Sequence, residues 1–167
     1  SDIEKLDLDL AILSLNPEHS FNYASKLIKS GVNVLVEKPP FFNFDQFKKI
    51  YELSLKKKKY LFVGFNFLHD PVIQLIRNKY LKSVGKLYKI NISYLYGTSM
   101  SNINKVGAFM DVGLHLISII NYLFGDFKII HANFQNFEKK YKNYDDDGSI
   151  ILKKRDINIT INFSLVN

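Results

Sequence analysis

Residues Val32–Pro40 read VNVLVEKPP, an apolar, β-branched run that stops on a glutamate, a lysine and two prolines. Val32–Val36 has the composition of a buried strand. The prolines would end such a strand unaided, so charge at Glu37 and Lys38 asks for a second reason. In a parallel α/β sheet, ligands sit beyond the carboxyl ends of the strands. A surface lysine in a loop is the plain alternative, and position alone does not choose between them.

Upstream, Glu18–Ser30 (EHSFNYASKLIKS) carries apolar residues at helical spacing, with Pro17 in the first-turn position and Gly31 as the stop. Before it, Leu8–Leu15 (LDLAILSL) is a β-type run. Downstream, Asn43 or Asp45 caps a helix through FDQFKKIYELSLKKK, and YLFVGFN follows as a third strand. DPVIQLIRNKYLKS then reads as a third helix, with Asp70 as its cap and Pro71 at its first position. Such β–α alternation predicts parallel strands joined by right-handed crossovers.

The texture changes after Gly85. Lys86–Gly97 (KLYKINISYLYG) alternates like a half-exposed strand of an antiparallel sheet. The polar loop TSMSNINKVG and a helix over Ala108–Phe124 come next, closed by Gly125. FKIIHANFQNFE, SIILKKR and INITINFSLV read as strands, with NYDDDG (Asn143–Gly148) a turn. The expected organisation is therefore a βα part over residues 1–84 and a β-rich part over residues 85–167.

Composition narrows the class. At 167 residues and 47% hydrophobic, the chain can bury a core. No apolar run reaches the roughly 18 residues of a membrane span, so no membrane partner is expected. The sequence has no cysteine, and its N-terminus lacks the pattern of a secretory signal. A reducing, cytoplasmic setting is the expectation. The net charge of +7 owes much to Lys56–Lys59, which reads better as a solvated helix end than as a nucleic-acid patch. No aromatic-interleaved basic stripe accompanies it.

One further pattern bears on Lys38. In DVGLH, Asp111 and His115 stand four apart on one helix, where side chains are neighbours. A carboxylate there orients an imidazole and favours its charged form, as a general acid or base near neutral pH requires. A surface helix contact, or a core histidine bonded to backbone, is the competing reading.

Three segments stand in order: NPEHSFNYASKLIKSGVNVLVEKP, VGFNFLHDPVIQLIRNKYLKSVGKLYKI and GAFMDVGLHLISIINYLFG. Together they resemble the Gfo/Idh/MocA family of NAD(P)-dependent oxidoreductases over roughly Leu8–Gly125. The resemblance implies α/β plus α+β architecture: the C-terminal half of a Rossmann-like parallel sheet, then part of an open, mostly antiparallel sheet domain. It implies NAD or NADP as cofactor, a sugar, polyol or sugar derivative as substrate, and a homo-oligomer formed through the C-terminal sheet. Glu37, Lys38 and Pro39 match the family's Glu-Lys-Pro signature, whose lysine reaches the nicotinamide ribose and the substrate hydroxyl. Asp111 and His115 match Asp-x-Gly-x-His, with the histidine as proton acceptor and the aspartate as its partner. Asn16, Pro17, His19 and Asn66 join Glu37, Lys38 and Pro39 as expected cofactor contacts. The Lys38–Pro39 peptide is expected to be cis, and His115 and Lys38 to face one cleft.

Two departures shape the expectation for activity. The glycines at 31, 64, 85, 97, 107, 113, 125 and 148 form no Gly-x-Gly-x-x-Gly. The chain is thus expected to be a fragment that starts near the family's fourth Rossmann strand and is inactive alone. Leu68 stands where the family often has arginine, and Ser118 where it has an acidic residue, which leaves the substrate unnamed. The competing expectation is a non-catalytic, truncated relative that serves as a dimerisation or scaffold module.

Overall fold

A computed structural model describes residues 7–97, 106–138 and 143–166. The expected loop TSMSNINKVG lies mostly outside them. The chain forms two units, Ser1–Phe65 and Asn66–Asn167.

In the first unit, β1 (Leu10–Leu13), β2 (Asn33–Glu37) and β3 (Leu61–Gly64) form a parallel sheet in that order. The connections are α1 (Pro17–Lys29) and α2 (Phe44–Lys57). Successive side chains on a strand point to opposite faces, and Val34 and Val36 enter a core with Leu27, Ile28 and Ile50. On the other face Ile12 is 67% and Phe62 49% exposed. Gly31 follows α1 at φ +85°, a left-handed position that glycine occupies without steric cost. Asn43 caps α2, its side chain accepting from Gln46 N at 3.0 Å, while Gln46 Oε1 accepts from Phe42 N at 3.1 Å. The return bond reaches one residue beyond that of a capping box, to the N–H preceding the cap. Lys56 and Lys57 lie in the last turn of α2, where cations favour the helix dipole.

The second unit opens with a 3-10 turn, Asn66–His69, and α3 (Pro71–Asn78), capped by Asp70, which accepts from Val72 N at 2.7 Å. Strand β4 (Lys89–Leu95) precedes a π-helical turn, Phe109–Gly113, that runs into α4 (Leu114–Phe124). Strands β5 (Lys128–Gln135), β6 (Asp147–Lys154) and β7 (Ile157–Ser164) complete a sheet of order β4-β7-β6-β5. Ile150, Leu152, Ile159, Ile161 and Phe163 pack with Leu116 and Ile120 of α4.

One expectation is corrected. Strand β4 alternates exposed and half-buried residues as expected, yet it pairs parallel with β7; only β5–β6 and β6–β7 are antiparallel. The helical crossover between β4 and β5 brings the chain back in its original direction, and the β5–β6–β7 meander ends beside β4. The third helix groups with the second unit. It packs on α4, with the Arg77 guanidinium 3.9 Å from the centre of the Tyr122 ring. Alternation fixes the order of elements, not the body on which a helix packs.

Candidate active site

The carboxyl edge of the first sheet gathers most of the expected residues. Register pairs Glu37 with Gly64, and the Glu37 carboxylate lies over that glycine. A Cβ at position 64 would stand 3.1 Å from Glu37 Oε1. Glu37 Oε2 accepts from Lys38 N at 3.1 Å, fixing the chain as it leaves the strand. Lys38 is half-buried, Pro39 is buried, and the peptide between them is cis, as the resemblance implies. Phe41, 3% exposed and edge-on to Phe21, anchors the turn from below.

Beyond β1, Asn16 and His19 are exposed and Pro17 is buried at the head of α1. The Asn16 carbonyl accepts from His19 N at 2.9 Å and Ser20 N at 3.1 Å. Asn16, Pro17, His19, Glu37, Lys38 and Pro39 therefore share one sheet edge, because parallel neighbours end on the same side. Asn66 is exposed, two residues past β3, and is the first residue of the second unit.

Asp111 and His115 share one continuous helix in the second unit. Asp111 is half-buried in the π-helical turn and His115 is 4% exposed in the first turn of α4. The ring of Phe67, from the 3-10 turn, stacks on the imidazole with centroids 4.3 Å apart and planes at 25°. Ser118 Oγ donates to the His115 carbonyl at 2.7 Å, so that hydroxyl is tied to its own helix. Single π turns inside α-helices recur at functional sites.

The start of this helix is held from a distance. Ala108 N donates to the Asp145 carbonyl at 2.8 Å, and Phe109 N to Asp145 Oδ2 at 2.6 Å. A carboxylate at that end also favours the helix dipole. Burial pushes the Asp145 carboxyl above the usual range, against the lowering effect of the Phe109 N–H bond. Next to it, the Asp146 carboxylate accepts from Phe137 N at 2.9 Å and Glu138 N at 2.8 Å. The sequence marks this stretch only as a turn. Gly113 has a packing reason of its own: a Cβ there would meet Phe109 at 2.8 Å and Phe163 at 3.3 Å.

The residues fit a nicotinamide cofactor at one end only. Lys38 and Glu37 offer a cation and a carboxylate for its ribose. The head of α1 offers no pyrophosphate cradle, since His19 and Ser20 N–H groups already bond Asn16 and Glu18 brings negative charge to the first turn. None of the eight glycines supplies the loop that would do so.

A parallel βα unit edged by Glu-Lys-Pro, followed by a mixed sheet with Asp-x-Gly-x-His on the helix packed against it, is the architecture of a family of oxidoreductases. The chain belongs to the Gfo/Idh/MocA family: residues 2–65 match its oxidoreductase, NAD-binding Rossmann-fold description and residues 79–167 its C-terminal domain. It is 24% identical over 141 residues to levoglucosan dehydrogenase of Pseudarthrobacter phenanthrenivorans, covering 75% of this chain and 36% of that protein. In fold it is similar to the WlbA dehydrogenase of Bordetella pertussis in complex with NADH and UDP-GlcNAcA, with TM-score 0.90 and 17% identity. That match covers 99% of this chain and 51% of the other. An inositol dehydrogenase homolog from Azotobacter vinelandii, complexed with NADH and myo-inositol, gives TM-score 0.85 and 16% identity over 95% and 45% of the two chains. The chain thus spans about a third of the curated relative and about half of the solved structures.

Proposed function

We propose that these residues serve an NAD(P)-dependent dehydrogenase acting on a CH–OH group of a sugar, polyol or sugar derivative. The observation that carries the reading is Lys38 at the carboxyl edge of the parallel sheet, directly after a glutamate whose carboxylate is seated on Gly64. The names of the relatives, a levoglucosan dehydrogenase and an inositol dehydrogenase homolog among them, support the substrate class.

In this reading the substrate hydroxyl gives its proton to His115. Asp111, one turn earlier, orients the imidazole and stabilises its charged form. Lys38 holds positive charge against the oxygen as the alkoxide develops, a gain made in the transition state and not in the ground state. When bound, the nicotinamide supplies hydride acceptor or donor capacity at its C4. Phe67 keeps water from one face of the imidazole. Asn16, Pro17, His19, Glu37, Pro39 and Asn66 are proposed to line the cofactor's nicotinamide end.

We also propose that a second copy pairs through the open face of the C-terminal sheet. That face presents a polar row in which Asn162 Nδ2 donates to Ser93 Oγ at 3.3 Å, and every residue of β5 at its edge is exposed. Sedimentation would show a dimer that a charge substitution at Ile151, 41% exposed on this face, dissociates.

The test of function is a panel of polyols and sugars offered with NAD or NADP to a longer polypeptide that carries these residues behind a glycine-rich strand–loop–helix segment. Reduction of the nicotinamide by at least one member supports the dehydrogenase. Failure of that polypeptide to bind either cofactor favours the scaffold reading.

A further inference from the structure

The environment of His115 contains a second arrangement that its catalytic role alone does not explain. Phe67, which covers the imidazole, sits in a four-residue 3-10 turn. A turn this short has few bonds of its own to hold a ring in place. Its Leu68 carbonyl accepts a hydrogen bond from Gln74 Nε2 at 2.5 Å. The same amide meets α4: the Tyr122 hydroxyl lies 2.9 Å from Gln74 Nε2 and 3.1 Å from Oε1. The hydroxyl can accept from the nitrogen or donate to the oxygen. Arg77, one turn beyond Gln74, sits over the Tyr122 ring at 3.9 Å and fixes the tyrosine in turn. Phe67 also stacks against Tyr94 of β4, centroids 6.4 Å apart and planes at 27°.

Tyr122 follows His115 by seven residues, two helical turns, so both lie on one face of α4 about 10.5 Å apart along the axis. We propose that Gln74 and Tyr122 form a latch that pins the 3-10 turn to α4 and so holds Phe67 on the imidazole, making Phe67, Gln74 and Tyr122 positioning residues for His115. The latch joins three elements through one side-chain amide. With the turn held, the ring of His115 cannot swing toward Phe67, and its nitrogens keep a fixed direction. Arg77 and then Gln74 also lower the Tyr122 hydroxyl below its usual pKa. The functional value of the latch rests on the reading of His115 as the proton acceptor; its existence does not.

The test is the proton NMR spectrum of the histidine rings in the 167-residue chain, with the His115 signals assigned by their loss in His115→Ala. Stacking on Phe67 moves those signals upfield through the ring current. Gln74→Leu and Tyr122→Phe are expected to return them toward the position seen in Phe67→Leu, while Phe67→Tyr, which keeps the stack, leaves them where they are. His115 signals that stay upfield in Gln74→Leu overturn the latch. If Gln74→Leu does not fold, Tyr122→Phe, which deletes one oxygen, decides alone, and an unmoved signal again overturns it. Full turnover in His115→Ala of the longer polypeptide would defeat the catalytic reading while leaving this spectral result intact, so the two failures are distinguishable.

Discussion

Gly113, at the centre of the Asp-x-Gly-x-His motif, has ordinary helical dihedrals of φ −58° and ψ −39°. Conformation alone therefore favours Gly113→Ala, by about 1 kcal/mol in a helix interior. Packing opposes it. The new Cβ would stand 2.8 Å from Phe109 Cδ2, roughly 1 Å inside the ~3.5–4.0 Å optimum for carbon pairs. Phe163, 3.3 Å away, is fully buried and cannot retreat, because a wall at Gly148 confines its other side. Phe109 is also held, with ring centroids 5.2 Å from Phe134 and 5.9 Å from Phe163. Overpacking of this kind costs about 1–3 kcal/mol. Taking the middle of that range against the propensity gain leaves a net loss of about 1 kcal/mol, or about 4–8 °C in Tm for a unit of roughly 100 residues. Thermal melts followed by circular dichroism measure it. A Tm equal to or above that of the parent would refute the reasoning and leave Gly113 without a packing role. Gly148→Ala is the companion: its Cβ would meet Phe163 at 2.5 Å and the Asn133 carbonyl at 3.0 Å, so a larger loss is expected.

Three further outcomes are expected. Asp145 has a folded pKa raised by burial, so its contribution to stability is full below the unfolded pKa and is lost as pH rises through the folded value. Asp145→Asn, whose carbonyl still accepts from Phe109 N–H, should gain on the parent in melts taken from about pH 4 toward about pH 7, and a constant difference across that range would contradict the assignment. Asp146→Ala should destabilise the chain by about 2–4 kcal/mol, since it strands two backbone N–H groups that now bond a carboxylate; urea titration checks it. The 167 residues alone should bind NADH only weakly, because they hold no pyrophosphate loop. Micromolar binding by calorimetry would show that some other group performs that task.

The first unit was legible because its signals are local. Asn43, Pro17, Gly31 and the apolar spacing of α1 and α2 each act within one or two turns, and each element formed where its own residues place it. The direction of β4 was not legible, since its partner β7 is some 70 residues away and an alternating strand reads the same in either direction. The helix of Asp111 and His115 was visible as a motif, but its N-terminal anchor was not. Asp145 reaches Phe109 across 36 residues from a stretch whose composition signals only a turn. Gln74 and Tyr122 likewise carry no local mark, because their bond spans 48 residues between two helices. Phe67 looks like any aromatic in a loop until the fold sets it on His115.

The proposed role of Lys38 and His115 is to act on one hydroxyl. Its most direct test is turnover by Lys38→Ala and His115→Ala, each made in the longer polypeptide that reduces nicotinamide with a polyol or sugar. Loss of a positioned acid–base group typically lowers the rate by about 100- to 10,000-fold, and the account predicts a kcat reduced within that range in both variants with cofactor binding retained in His115→Ala. Turnover within a few-fold of the parent in either variant would contradict it.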